Sequence, residues 1–246
     1  MFASLDIGNS KTKLGIFKEN ILYKIYNFDT DTFSFLSLTS SLRKHKIEFI
    51  GISSVVKKFD LSFTESLNQI NFKNKLIDSK PTLPIKLKIK NKTSLGSDRI
   101  CSASYAYSYF KKKENVICIN AGTAITIDVI LKDSSFIGGL ILPGIHTQAE
   151  SLSSMTSKLP LIKKFNDKVK LIGDGTDSAI QSGILNITSF GIDSLVKKLE
   201  SHYKRRFKII VSGGTGKLLG KNLTVKHTFV ENIVLKGIQL ILNKAK

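Results

Sequence analysis

The sequence predicts an α/β protein of two similar domains, and three observations predict it. Strand-like and helix-like stretches alternate along all 246 residues. One plan, strand, (Asp/Asn)-x-Gly-(Asn/Thr)-(Ser/Ala), strand, occurs twice, with Asp6 matching Asn120, Gly8 matching Gly122 and Asn9 matching Thr123. Hydrophobic residues make up 41% of the chain, which is enough for sizeable cores. A duplication on this scale points to two like domains whose turns face each other across a cleft, and not to a short-period solenoid.

In order along the chain, strand signals fall at about 2–6, 11–17 and 21–28, followed by a helical pattern near 31–45 and a buried strand, FIGISS, at 49–54. The segment PIKLKIKNK at 84–92 alternates strictly, with Leu87 and Ile89 on one face and lysines on the other, as on a half-buried strand. SLGSDRICSASYAYSYF at 94–110 reads as a polar loop entering a helix. The second half restarts with NVICINAGTAITIDVIL at 115–131, a strand, a glycine turn and a strand; SFIGGLILPGI at 135–145 is a third strand. A helix follows over 145–155, and a long helical stretch runs from Asp177 to Tyr203, with Gly183 and Gly191 as candidate bends. FKIIVSGG at 207–214 is a strand ending in glycines, and a closing helix from Glu231 to Leu242 has Ile233, Val234, Ile238 and Ile241 on its apolar face.

The formal net charge is +19, from 38 Lys+Arg against 19 Asp+Glu. Such a field attracts anions. The excess is spread out and mostly lysine, in short clusters such as Lys111-Lys112-Lys113 and Lys204-Arg205-Arg206 without a long basic arm, so nucleic acid is an unlikely partner. The two cysteines, Cys101 and Cys118, sit in apolar surroundings and read as buried free thiols of a reducing cytoplasm. There is no cationic stretch leading a long apolar run, and no 18-residue apolar segment, so neither a signal peptide nor a membrane span is expected.

The chemistry concentrates in the turns. In Asp6-Ile7-Gly8-Asn9-Ser10 the glycine opens space for a ligand, and successive N–H groups of such a turn converge on anionic oxygen. A carboxylate there repels phosphate unless a cation lies between them, which makes Asp6 a candidate Mg²⁺ ligand. An ordinary hairpin tip uses the same residue types; the second turn, Asn120-Ala121-Gly122-Thr123, and a third, Ser212-Gly213-Gly214-Thr215, strengthen the functional reading. Neither the P-loop spacing nor G-x-G-x-x-G is present. Gly96-Ser97-Asp98-Arg99 offers Asp98 as a general base toward a hydroxyl and Arg99 as a clamp for anionic groups, against the plain reading of a helix-start pair. His146, beside Pro143-Gly144, is a weaker candidate pocket residue, and no Cys/His cluster suggests zinc.

Seven segments in order resemble the type III pantothenate kinases of the acetate and sugar kinase/Hsp70/actin superfamily: LDIGNSKTKLGIF, ISSVV, LGSDRI, NAGTAITIDVI, GGLILPGIHTQAESLSSMTSKLPLI, GDGTDSAIQSGI and VSGGTGKLL. The resemblance implies two ribonuclease-H-like (actin-like ATPase) domains, 1–114 and 115–246, with an interdomain nucleotide cleft. It implies ATP-dependent phosphorylation of pantothenate, the first step of coenzyme A synthesis, in a homodimer with sites near the subunit interface. Mg²⁺ is the expected metal, often with K⁺ or NH₄⁺. Carried over by motif, Asp98 is the base; Gly96, Ser97, Arg99 and Thr176, the last from the other subunit, bind substrate. Asp6, Ile7, Gly8, Asn9, Ser10, Lys11, Thr12 and Lys13, with Gly122, Thr123, Gly213 and Gly214, serve ATP, and Asp6 and Asn120 the metal. The family usually has Asp at position 120, so Asn120 puts the monovalent cation in doubt, and Lys11 is the better candidate to fill its place. The rival readings are a regulatory, transcription-accessory member of the family, another small-molecule kinase of the superfamily, and a basic nucleic-acid binder.

Overall fold

The computed structural model describes residues 1–59, 61–78 and 83–243, and the chain divides into two compact units. Unit 1 comprises Met1–Lys112, Ser134–Phe136 and Asn232–Lys246; unit 2 comprises Lys113–Asp133 and Ile137–Glu231. Set beside a single cut after residue 114, the first boundary falls two residues earlier, after Lys112, and residues 134–136 and 232–246 return to the first unit. The reason is packing: the C-terminal helix has an apolar face that seats on the first sheet and on a helix of unit 1.

Unit 1 contains the strands β1 (Phe2–Ile7), β2 (Lys11–Lys18), β3 (Ile21–Asp29), β4 (Phe49–Ser54) and β5 (Lys73–Leu76) in the order β3-β2-β1-β4-β5. β1 runs antiparallel to β2 and parallel to β4, and β4 is parallel to β5. Helices α1 (Phe35–Lys44) and α2 (Leu61–Gln69) follow β3 and β4. Alternate residues of β1 and β4, Ala3, Leu5, Ile7, Ile50 and Ile52, are fully buried with Leu38 and Leu42 of α1. Each of these leucine and isoleucine side chains contributes about 1.5–3 kcal/mol on burial. Of the expected strand over 84–92, only β6 (Lys86–Leu87) forms; it pairs in parallel with Ser135 and Phe136. Helix α3 (Ser97–Tyr109) completes the unit with α7 (Ile233–Asn243).

Unit 2 repeats the plan. Its strands β7 (Asn115–Ala121), β8 (Ala124–Ile130), β9 (Ser135–Pro143), β10 (Phe207–Ser212) and β11 (Thr228–Phe229) lie in the order β9-β8-β7-β10-β11. β7 is antiparallel to β8 and parallel to β10, as β1 is to β2 and β4. Its helices are α4 (Ile145–Met155), α5 (Thr176–Tyr203) and α6 (Gly216–Asn222). α5 is continuous through Gly183 and Gly191 and buries Ile180, Ile184, Leu185, Ile192 and Val196 against the Ile- and Val-rich face of β7, β8 and β10. Among the described residues no helix is long and apolar enough to cross a membrane.

Candidate functional site

In unit 1 the first turn is tied from three sides. Gly8 donates its N–H to the Lys11 carbonyl at 3.1 Å, Thr30 donates its hydroxyl to the Gly8 carbonyl at 2.8 Å, and the Thr30 and Thr12 hydroxyls lie 3.0 Å apart. Asp6, one residue from the end of β1, pairs across the sheet with Lys13 on β2 and with Ser53 on β4. Asn9 and Ser10 are exposed at the tip. Lys11 is exposed and forms a surface ion pair with Asp29 at 2.5 Å. That pair directs Lys11 outward, so it is a poor substitute for a cation of the site.

The second carboxylate enters from α3. Gly96 precedes the helix, and a Cβ at that position would stand 2.5 Å from Asp98 Oδ1. The glycine therefore leaves room for the carboxylate, whose Oδ1 accepts the Arg99 N–H at 2.8 Å. The Arg99 guanidinium lies over the Phe136 ring at 5.8 Å. Ser97, expected to touch substrate, is buried: its hydroxyl lies 2.9 Å from that of Ser53, receives the Ser54 N–H at 3.0 Å and reaches the Ser54 carbonyl at 3.1 Å. These bonds pin the start of α3 to the end of β4.

The Asp98 charge is felt at Asp6. The Asp6 pKa is raised from 3.8 to about 7, first by burial and then by the neighbouring Asp98 charge, with Lys13 opposing the rise. Burial also raises the Asp98 pKa, against the Arg99 N–H and charge. The buried Cys101 thiol is pushed well up, first by burial and then by Asp6 and Asp98, so it is an inert neighbour. Two partly buried carboxylates, each disfavoured as an anion, fit a hard divalent cation that takes one or two carboxylates and keeps its remaining positions for water and phosphate. Among the described residues no group of three or more His, Cys, Asp or Glu forms a metal cage.

Unit 2 builds its turn differently. Asn120 holds the position matching Asp6, with Thr126 across on β8 and Ser212 on β10. The turn carbonyls are tied back: Thr123 accepts from the Gly144 N–H at 2.8 Å and the Thr147 hydroxyl at 2.7 Å. Ala121 accepts from the Thr215 N–H at 3.0 Å and its hydroxyl at 3.1 Å. Gly213, at φ 95°, lies so close that a Cβ would stand 2.3 Å from the Ala121 carbonyl oxygen. The second and third turns are thus one packed device, built on close backbone contacts. Gly122, Thr123 and Gly214 are exposed, as is Thr176 at the start of α5. The exposed His146 packs its ring edge-on to Phe165 at 5.5 Å.

Sequence reasoning passed over Ser53, Thr30, Thr147 and Asn232. Ser53 lay inside the quoted ISSVV segment, but a serine in a strand carries no sign of its partner. Asn232, just before α7, receives the Lys13 ammonium on its Oδ1 at 3.2 Å, a contact spanning the length of the chain.

The pattern that defines type III pantothenate kinases matches residues 3–198. A relative named type III pantothenate kinase from a Sulfurihydrogenibium species is 33% identical, over 98% of this chain and 99% of its own. Another of that name from Persephonella marina is 30% identical, over 97% and 96%. Among solved structures, a Campylobacter jejuni protein described as a Baf family transcriptional activator superimposes with a TM-score of 0.66 at 24% identity, covering 99% of this chain and 98% of that one. A 2-dehydro-3-deoxygalactonokinase homologue from Sinorhizobium meliloti gives 0.59 at 12%, over 99% and 96%. At these identities the structures speak for the fold, that of the actin-like ATPases and sugar kinases.

Proposed function

Because the chain belongs to the type III pantothenate kinase family, we propose that it transfers the γ-phosphoryl group of ATP to the hydroxyl of pantothenate, giving 4'-phosphopantothenate for coenzyme A synthesis in the cytoplasm. The observation that carries this reading is the pair of carboxylates disfavoured as anions by burial, Asp6 at the end of β1 and Asp98 at the start of α3, the Asp98 charge acting on Asp6.

Asp98 takes the proton from the pantothenate hydroxyl. Its raised pKa makes it a better proton acceptor than an ordinary aspartate, while Arg99 beside it keeps it ionised enough to act. Gly96 leaves the carboxylate uncovered, and Ser97 with Ser53 fixes the helix that carries it. Ser97 therefore acts by position. Phosphoryl transfer is catalysed mainly by placement and by charge neutralisation. The phosphate-binding elements are, in unit 1, the turn at 8–10 with Lys13 and, in unit 2, the packed turns at 122–123 and 213–214. Mg²⁺, held by Asp6, neutralises phosphate charge when bound. Asn120 offers an amide oxygen in place of a carboxylate, so dependence on K⁺ or NH₄⁺ is weak.

The active form is a homodimer. Supporting this, α5 presents an uncharged stripe of Ala179, Gly183, Ile187 and Gly191, with Ile187 71% exposed and Phe190 beside it, and Ile172 is 78% exposed just before the helix. Thr176 at the start of that helix would then reach the pantothenate site of the other subunit.

The test is a kinase assay of the purified protein with ATP and Mg²⁺ across candidate acceptors, with products identified by mass. Phosphopantothenate, formed only when pantothenate and ATP are both present, is expected. ATP turnover with a sugar and none with pantothenate would overturn the assignment.

A further inference from the structure

Lys13 is a long, flexible side chain placed directly across the sheet from Asp6. A lysine ammonium acts as a point charge, and its usefulness depends on where it is held. Here one group from the far end of the chain holds it: Asn232 Oδ1, at 3.2 Å and partly shielded from water. Asn232 sits at φ 54°, in the left-handed region, immediately before α7. Its backbone still begins the helix, since its carbonyl accepts the Lys236 N–H at 3.2 Å. An asparagine at a helix start ordinarily turns its side-chain oxygen back onto its own helix; this oxygen is given to Lys13.

Most residues other than glycine are strained in the left-handed conformation, and asparagine is among the few that enter it routinely as a single residue. Asparagine therefore meets the backbone requirement of this position, and its amide oxygen is spent on the Lys13 ammonium. The helix behind it is firmly seated: Ile233, Val234, Leu235 and Ile238 are buried, and a Cβ on Gly237 would collide with the Cys101 backbone of α3 at 2.1 Å. Asn232 is therefore a fixed post, and α7 fixes it.

We propose that Asn232 is a positioning residue that aims the Lys13 ammonium at the phosphoryl group held beside Asp6. This rests on the phosphate role given to Lys13 above. Through it the C-terminal helix, which bears none of the family's phosphate or substrate motifs, becomes part of the reaction machinery. The interaction matters most when charge shifts on the transferring group, so its loss lowers kcat more than it raises KM.

The test uses Asn232→Gly, which suits the left-handed backbone and removes only the amide, and Asn232→Asp, which keeps an oxygen acceptor. Steady-state kinetics and thermal melts are read for both, alone and in a Lys13→Met background. Asn232→Gly is expected to lower kcat roughly tenfold, the lower end for losing a hydrogen bond to a charged group, with KM values and Tm retained. Asn232→Asp is expected to keep most of kcat. In the Lys13→Met background Asn232→Gly should cost nothing more, because no ammonium remains to be aimed. A native kcat for Asn232→Gly, an equal fractional loss with and without Lys13, or a fall in Tm with kcat unchanged would each overturn the proposal. A native kcat for Lys13→Met would remove the phosphate role of Lys13 itself and the proposal with it, a result distinct from the other three.

Discussion

The two units place different chemistry at the matching point of two separate sheets. In unit 1 the position one residue before the strand end is Asp6, flanked in register by Lys13 and Ser53. In unit 2 it is Asn120, flanked by Thr126 and Ser212. In register, Asp6 and Lys13 of the first device have neutral counterparts, Asn120 and Thr126, in the second. The first device gathers two carboxylates that resist ionisation and the cations that temper them. The second gathers close backbone, with Gly213 pressed on Ala121 and Gly144 bonded to Thr123. A shared topology fixes where the turns lie, and the side chains decide which turn is charged and which is built from close backbone.

If that contrast is right, the largest effect comes from the charged device. Asp98→Asn keeps the shape of the side chain and should lower kcat by about 10²–10⁴-fold, the usual contribution of a placed acid–base group. Nucleotide binding, followed by titration calorimetry, should be nearly unchanged. Near-native turnover would move the base elsewhere.

The neutral device should fail through its backbone instead. Gly213→Ala forces a side chain into the left-handed region and against the Ala121 carbonyl. A loss of about 2 kcal/mol is expected, seen as a lower melting temperature together with a higher KM for ATP. A melt and an ATP KM both equal to the native values would show that the two turns are not one packed unit.

Asn120→Asp makes the two turns alike. A carboxylate prefers a hard cation more strongly than an amide does, so the variant should gain stimulation by K⁺ or NH₄⁺ of a few-fold over the native protein, read by titrating either salt at constant ionic strength. Strong K⁺ activation of the native protein, unchanged in the variant, would refute the link between this residue and cation use.

Asp6→Asn makes the same change in reverse, and its clearest signature is stability against pH. The folded protein holds the Asp6 proton up to about pH 7, whereas the unfolded chain releases it near 3.8. Between these values the folded state binds more protons, so this group's contribution to stability falls as pH rises through that window. In metal-free buffer the asparagine variant should melt like the native protein at low pH and above it at pH 8, by on the order of 3 °C, what about 1 kcal/mol moves in a chain of this size. An identical offset at both ends of the pH range would show that Asp6 is not strained by its surroundings.

The sequence alone determined the duplicated architecture, because apolar alternation and glycine turns are local signals that the backbone must obey. It also marked Asp6, Gly96, Asp98, Arg99 and the three glycine turns, since their spacing survives in one dimension. It could not assign the C-terminal helix to unit 1, nor reduce the alternating run at 84–92 to the two paired residues of β6, because both depend on which surface is available to cover or pair with them. Nor could it settle partners. Lys11 and Lys13 are two residues apart and look alike, yet one meets Asp29 on the surface and the other Asn232 beside Asp6. Ser97 stands in a binding motif, yet its hydroxyl is used up on Ser53 and Ser54. Hydrogen bonds and charge coupling act over a few ångströms in space and across tens to hundreds of residues in sequence. Only the folded chain brings Asp6 to Asp98 and raises both pKa values, and only there does the end of the chain reach the lysine near its beginning.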